Sequence, residues 1–173
     1  MSRPNAVTFK GNPLTLAGEA VTVGQPGPSF TCHRFVDGGL QTVTLDTLKG
    51  KPSLISVVPS LDTGVCAIQT KTFNEKLGAL GDKINAVTVS LDLPFAMNRF
   101  CGAESITNLV SASDYQDRSF GNSWGMLIEE LKLLARGIFV LDADGKVVYA
   151  ETVPEVTSEP NYDAALAALN GQL

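Results

Sequence analysis

Apolar and polar positions alternate in the first part of the chain, and the period changes further on. Residues 7–10 and 13–16 flank Gly11-Asn12 and predict a short β-hairpin. Residues 24–28 form a Gly/Pro loop. Residues 30–36 alternate and predict a strand, Asp37-Gly38-Gly39 a turn, and residues 41–45 the returning strand. Residues 54–58 are continuously apolar or β-prone and predict a buried strand that ends at Pro59. From residue 63 or 64 to residue 80 the period is helical: Phe73, Leu77 and Leu80 share a face, and Gly81 stands at the stop. Residues 86–91 predict another strand, and residues 94–101 a short helix opened by Pro94. Residues 137–141 and 146–153 flank the turn Asp142-Ala143-Asp144-Gly145 and predict a second hairpin. Residues 160–169 predict a closing helix, with Tyr162, Ala165, Leu166 and Leu169 on one side. Residues 126–134 fit two patterns, a helix through Leu127, Leu131 and Leu134 or a strand with a loop, and periodicity does not choose between them.

Strand–helix–strand units followed by an antiparallel hairpin and a last helix predict an α/β fold. The arrangement that suits them is a thioredoxin-like mixed sheet flanked by helices, with an added N-terminal β-hairpin. The pattern alone leaves other α/β arrangements open. At 173 residues, with no internal repeat, low-complexity tract or shift in composition, the chain is expected to form one domain over 1–173.

Apolar residues make up 44% and charged residues 18%, the balance of a globular protein. A net charge of -5 argues against nucleic acid or anionic lipid as the main partner. No apolar run approaches the roughly 20 residues that cross a bilayer. Residues 1–10 have no apolar secretory core, so a cytoplasmic location is expected, where thiols stay reduced. The three cysteines, Cys32, Cys66 and Cys101, are too few and too scattered for a disulfide scaffold, and no CxxC occurs. A structural zinc site would need all three together with the single histidine, His33, so no metal or other cofactor is expected.

The segment with the most chemistry is Pro59-Ser60-Leu61-Asp62-Thr63-Gly64-Val65-Cys66. It puts Cys66 just after a strand, in the first turn of a helix. Unpaired backbone N–H groups and the helix dipole stabilise an anion there, which favours the nucleophilic thiolate. Pro59 fixes the strand exit and would shape one wall of a pocket. Thr63, three residues before Cys66, can aim its hydroxyl at the sulfur. On these residues alone, Cys66 reads equally as a nucleophile or as a small buried hydrophobe. Arg136 reads as a surface charge or as a cation for an anionic site, and Cys101 as a thiol near a helix end. Cys32 shares a strand face with Phe30 and Arg34, opposite His33. Arg99 is expected in solvent, and Phe95, Met97 and Phe100 in the core, with one of the three a candidate for the wall of the pocket.

The same eight residues match the P-x-x-x-T-x-x-C motif and resemble the peroxiredoxins. The likeness continues through Asp92-Leu93-Pro94-Phe95-Ala96, Arg99-Phe100-Cys101-Gly102-Ala103-Glu104, Leu134-Ala135-Arg136 and Glu159-Pro160 with Tyr162. Together they resemble the thiol peroxidase branch, the atypical two-cysteine peroxiredoxins, over essentially the whole chain. The resemblance implies that Cys66 is the peroxidatic cysteine and Cys101 the resolving cysteine of an intramolecular disulfide. It implies that Thr63 and Arg136 hold the peroxide and the thiolate. It further implies hydrogen peroxide and organic hydroperoxides as substrates, thioredoxin as reductant, a homodimer, and a strand plus loop at residues 126–134. Cys32 has no counterpart in that mechanism. Two other classes use the same residues: a non-enzymatic redox sensor switching through Cys66 and Cys101, and a scaffold domain with inert thiols. Turnover of hydroperoxide with thioredoxin separates the enzyme from the sensor, and resistance of Cys66 to alkylation would mark the scaffold.

Overall fold

The computed structural model describes residues 1–173. Strands β1 (Ser2–Phe9) and β2 (Asn12–Ala17) form the N-terminal hairpin. Its turn is Lys10-Gly11, one residue earlier than the sequence pattern suggests, and both residues have positive φ, 49° and 80°. That geometry matches the twist of paired strands, and glycine adopts it without steric cost. Strands β3 (Thr31–Val36) and β4 (Gly39–Thr44) are joined in the same way through Asp37-Gly38. Leu45 does not extend β4. It opens the short helix α1 (Leu45–Leu48), because Thr44 and Thr47 cap each other's backbone N–H groups.

The chain continues through β5 (Ser53–Val57), α2 (Gly64–Leu77), a 3₁₀ turn at Gly81–Lys83, β6 (Asn85–Ser90) and α3 (Pro94–Ala103). Then come β7 (Val110–Ser113), α4 (Ser119–Ser123), β8 (Leu127–Ile128), β9 (Leu133–Leu134), β10 (Gly137–Leu141), β11 (Val147–Thr152) and α5 (Tyr162–Asn170). Helix α2 stops at Leu77 rather than residue 80. Helix α5 starts later than expected, at Tyr162, where the Asn161 side chain accepts from the Ala164 N–H. The β8–β9 pair resolves the ambiguous segment as two short strands around a loop. No helix is long and apolar enough to cross a membrane.

Seven strands form a mixed sheet in the order β11-β10-β5-β6-β7-β3-β4, with β5, β6 and β7 parallel in its centre. Strands β1, β2, β8 and β9 form a second, four-stranded sheet. One apolar core, including Leu16, Phe120, Trp124, Ile128 and Phe139, joins the two sheets. A second core, including Leu54, Phe73, Leu77, Ile138 and Leu169, lies on the face covered by α2 and α5. On that face, one transverse row across the parallel strands carries three hydroxyls in register, Ser56, Thr88 and Ser111.

Two local features follow from the sequence. The buried stripe of α2 is apolar at its C-terminal end, Phe73 and Leu77, and polar at its N-terminal end, Cys66, Gln69 and Thr70. Helix α3 buries Met97 and leaves Arg99 exposed, as expected, but Phe95 is 53% exposed rather than core. Positions 95 and 97 lie on different faces of the helix, and Phe95 packs on Phe35 at its surface, centroids 5.1 Å apart.

Candidate active site

Two chain segments meet at the site because of one strand register. Antiparallel pairing sets Gly137, the first residue of β10, opposite Val57, the last residue of β5. The chain leaving β5 runs through Pro59 into α2, and the chain entering β10 carries Arg136. Both therefore reach the same end of the sheet. Glycine is needed at 137, since a Cβ would stand 2.5 Å from the Glu151 carbonyl oxygen and 2.7 Å from Met126 Cε.

Thr63 is the N-cap of α2, with extended φ and ψ, yet its hydroxyl makes no capping bond. It points instead to Cys66 Sγ at 2.6 Å and to the Ser60 carbonyl oxygen at 3.0 Å. A hydroxyl has a single proton. With a thiol, Thr63 donates to Ser60 and can accept from S–H; with a thiolate, it donates to sulfur. The Cys66 side chain is fully buried, in a small cluster with Val58, Leu61 and Met97.

Arg136 is only 2% exposed. Its Nη2 donates to Cys66 Sγ at 3.3 Å, Nη1 to Gln69 Oε1 at 2.9 Å, and Nε to the Val156 carbonyl oxygen at 2.9 Å. Gln69 is fixed in turn, its Nε2 donating to Ser56 Oγ at 2.8 Å. The guanidinium is thus aimed at the sulfur by two neutral acceptors. No carboxylate is among its hydrogen-bond partners to neutralise it, which leaves its charge directed at an anion.

Asp92 shapes the loop before the helix. It accepts from Ser60 Oγ at 2.7 Å, from the Leu61 N–H at 2.8 Å and from Ser90 Oγ at 2.7 Å. Pro59, Thr63, Gly64, Arg136 and Thr157 line a cavity of about 440 Å³, whose remaining wall is apolar: Phe9, Val65, Ile128, Leu131, Leu133 and Val156. Four of the apolar residues come from the smaller sheet or the loop within it. The two other cavities touch none of these residues.

Cys66, Thr63, Arg136 and Pro59 are therefore brought together. Cys101 is not. It lies in the last turn of α3 and packs against the Phe73 and Ile106 cluster, while Phe100 beside it touches both that cluster and the one around Cys66. All three cysteines are free thiols. Burial pushes the Cys101 thiol up, against the opposing pull of the Ser111 hydroxyl and the Arg34 charge. Cys32 lies in the large core, 3.8 Å from the Asp114 carboxylate, and burial followed by that charge pushes it far up. Gln69 and Asp92 have no assigned role in the sequence reading. Gln69 carries a signal, a polar residue one turn from Cys66 on the face that Phe73 and Leu77 mark as buried.

This geometry can be set against known proteins. A family model described as Redoxin matches residues 22–166. The thiol peroxidase of Bacillus subtilis (strain 168) is 51% identical over 162 residues, 94% of this chain and 95% of that protein. The thiol peroxidase of Halalkalibacterium halodurans is 48% identical over 168 residues, 97% and 99% of the two chains. Among solved structures, a peroxiredoxin-like protein from Aquifex aeolicus superposes with TM-score 0.87 at 37% identity, covering 98% of each chain. A thiol peroxidase from Chromobacterium violaceum superposes with TM-score 0.83 over 95% of each chain, and at 21% identity it speaks for the fold. By fold, by motif and by relatedness over nearly its whole length, this chain belongs to the thiol peroxidase branch of the peroxiredoxins, within the redoxin family.

Proposed function

We propose that the protein reduces hydrogen peroxide and organic hydroperoxides through Cys66 and is recycled by thioredoxin. The observation that carries this reading is the pair of donors on one sulfur, Thr63 Oγ1 and Arg136 Nη2, both of which line the apolar cavity. The Cys66 thiolate attacks the terminal oxygen of ROOH. The O–O bond breaks, sulfur is oxidised to the sulfenic acid, and RO⁻ takes a proton and leaves as ROH. Arg136 and Thr63 both border the cavity and both reach the sulfur, so charge that spreads onto the peroxide oxygens develops beside fixed donors. The Cys101 thiol then attacks the sulfenic sulfur. A Cys66–Cys101 disulfide forms, and the hydroxyl leaves as water with the thiol proton. A dithiol of thioredoxin restores both thiols by exchange.

Leu40, Leu93 and Phe95 are exposed apolar residues, and with Phe35 they supply a surface for the homodimer that the family resemblance implies. A cytoplasmic location, where thiols are kept reduced, is part of the same reading. NADPH consumption with thioredoxin and its reductase tests the central reading. Wild-type protein is expected to turn over several hydroperoxides and Cys66→Ser none, since a serine hydroxyl is not ionised near pH 7. Residual wild-type rates in Cys66→Ser would sink the assignment.

A further inference from the structure

The N-terminal hairpin touches the site at one residue, Phe9, and one carboxylate pins the hairpin there. Glu155 accepts five hydrogen bonds. Oε2 takes Thr8 Oγ1 at 2.7 Å and the Gly11 N–H at 3.1 Å. Oε1 takes the Lys10 N–H at 3.0 Å, the Thr157 N–H at 3.1 Å and Thr157 Oγ1 at 2.7 Å. Backbone bonds complete the seam: Thr8 N–H donates to Pro154 at 2.7 Å, and Val156 N–H to Thr8 at 2.8 Å. Phe9 itself is bracketed by these contacts, with Thr8 on one side and Lys10 and Gly11 on the other.

We infer that Glu155 is a positioning residue for substrate choice: it holds Phe9 in place as a wall of the cavity, against which the hydrocarbon group of a bulky organic hydroperoxide packs. The inference rests on the peroxidase reading above. Without the carboxylate the backbone bonds at Thr8 remain, but the Lys10 and Gly11 N–H groups lose their partner, and Phe9, already 39% exposed, is held from one side only. The peroxide group and the organic group make different demands. The O–OH end needs the sulfur and its donors, which sit on α2 and before β10. An aryl or branched alkyl group needs an apolar surface that excludes water, and Phe9 lies on a different element from those donors. Hydrogen peroxide has no such group and gains nothing from the wall. The donors hold the Glu155 carboxyl well below the usual carboxylate range, so the clamp stays charged across the working pH of a cytoplasmic enzyme.

A connection to the catalytic centre makes the test sharper. Val156, next to Glu155, gives its carbonyl oxygen to Arg136. A clamp that served only Arg136 would slow all peroxides alike. The informative quantity is therefore the ratio of second-order constants for cumene hydroperoxide and hydrogen peroxide, each measured by stopped flow on the full-length protein. Phe9→Ala and Glu155→Ala are each expected to lower that ratio by about tenfold, the lower end for a lost contact in an apolar pocket. Glu155→Gln keeps one carbonyl oxygen and is expected to fall between Glu155→Ala and the parent, which also keeps the test open if Glu155→Ala does not fold. A ratio within about twofold of the parent in the Glu155 variants overturns the inference, whether or not Phe9→Ala lowers it. Equal slowing of both peroxides overturns it too, in favour of an effect through Arg136. A parent protein that consumes neither peroxide overturns the peroxidase reading instead, and this inference with it.

Discussion

Arg136 reaches the Cys66 sulfur at 3.3 Å although the two residues stand 70 apart in the chain. The β5–β10 register makes that meeting possible, and Gln69 and the Val156 carbonyl oxygen hold the guanidinium in line once it is there.

Removing the charge should slow the chemical step and leave the fold. Arg136→Met is expected to lower the stopped-flow rate of peroxide reduction by about 10²-fold, the scale for one preorganised donor. Gln69→Leu keeps the charge but frees one N–H of a buried guanidinium. Its expected loss is smaller, about tenfold, from a misaligned donor with an unmet hydrogen bond of about 1–3 kcal/mol. Both variants should also slow alkylation of Cys66 by iodoacetamide at neutral pH, because the anion has lost support. Rates within about twofold of wild type, on the same scale, would remove Arg136 from the mechanism.

Cys101→Ser should consume about one equivalent of peroxide per chain and then stop, since no internal disulfide can form. Cys32→Ser should turn over as the parent does, because Cys32 sits in the main core away from the cavity. Mass spectrometry of the oxidised parent should show one Cys66–Cys101 bond. A requirement for Cys32 in turnover would reassign the resolving thiol.

Stability should fall in mildly alkaline solution. Burial keeps the proton on Cys32 and on Cys101 in the folded protein, whereas an unfolded chain releases thiol protons near about pH 8.5. Above that pH the unfolded state binds fewer protons, so the free energy of unfolding declines as pH rises, and the full contribution is present only below it. The melting temperature of the reduced protein is expected to drop between pH 7.5 and pH 9.5, conditions set around that thiol value. Cys32→Ala should flatten the drop, because Cys32 is the more deeply buried thiol and the one beside a carboxylate. An equal drop in Cys32→Ala would contradict this account.

Oxidation should loosen local structure. Cys66 and Cys101 sit in different apolar clusters on different helices, and a disulfide needs Cα atoms about 4.4–6.8 Å apart with a restricted torsion. Helix α3 is the shorter of the two and has less stability of its own. Amide exchange is therefore expected to rise over residues 94–102, or over residues 64–68, on oxidation and to return on reduction. Unchanged protection in both segments, with the Cys66–Cys101 bond confirmed, would refute this step.

Much of this was legible in the chain because the signals are local. Alternation and turn glycines mark the turns of both N-terminal hairpins to within a residue, although β1 begins at Ser2, five residues before the expected strand, and β4 at Gly39, two before; the run from Pro59 to Cys66 marks the nucleophile. Elements held by tertiary contacts carry no such mark. Strand β7 reads Val-Ser-Ala-Ser, too polar for a buried strand, and exists through its pairing with β6 and β3. Helix α4, Ser-Phe-Gly-Asn-Ser, has poor helix formers and is held by the Asp114 carboxylate, which accepts from the Phe120 and Gly121 N–H groups at 3.0 and 2.8 Å. Phe95 misleads because size alone suggests core, while its place on α3 points it outward. Gln69 shows in the sequence only as a polar position on the face that α2 buries, and Glu155 not at all; both gain their meaning through what they touch.

The hydroxyl row formed by Ser56, Thr88 and Ser111 bears on how the molecule survives its own cycle. Three valines or leucines in those places would each stabilise the closed state by about 1.5–3 kcal/mol relative to exposure, and would resist any lifting of the helices above them. Hydroxyls have little hydrocarbon to hide, and Thr88 Oγ1 has no protein partner to lose. The opening predicted on oxidation would therefore bring water to three hydroxyls along this row, and the apolar surface it bares would be confined to the Leu54, Phe73 and Ile106 cluster around it.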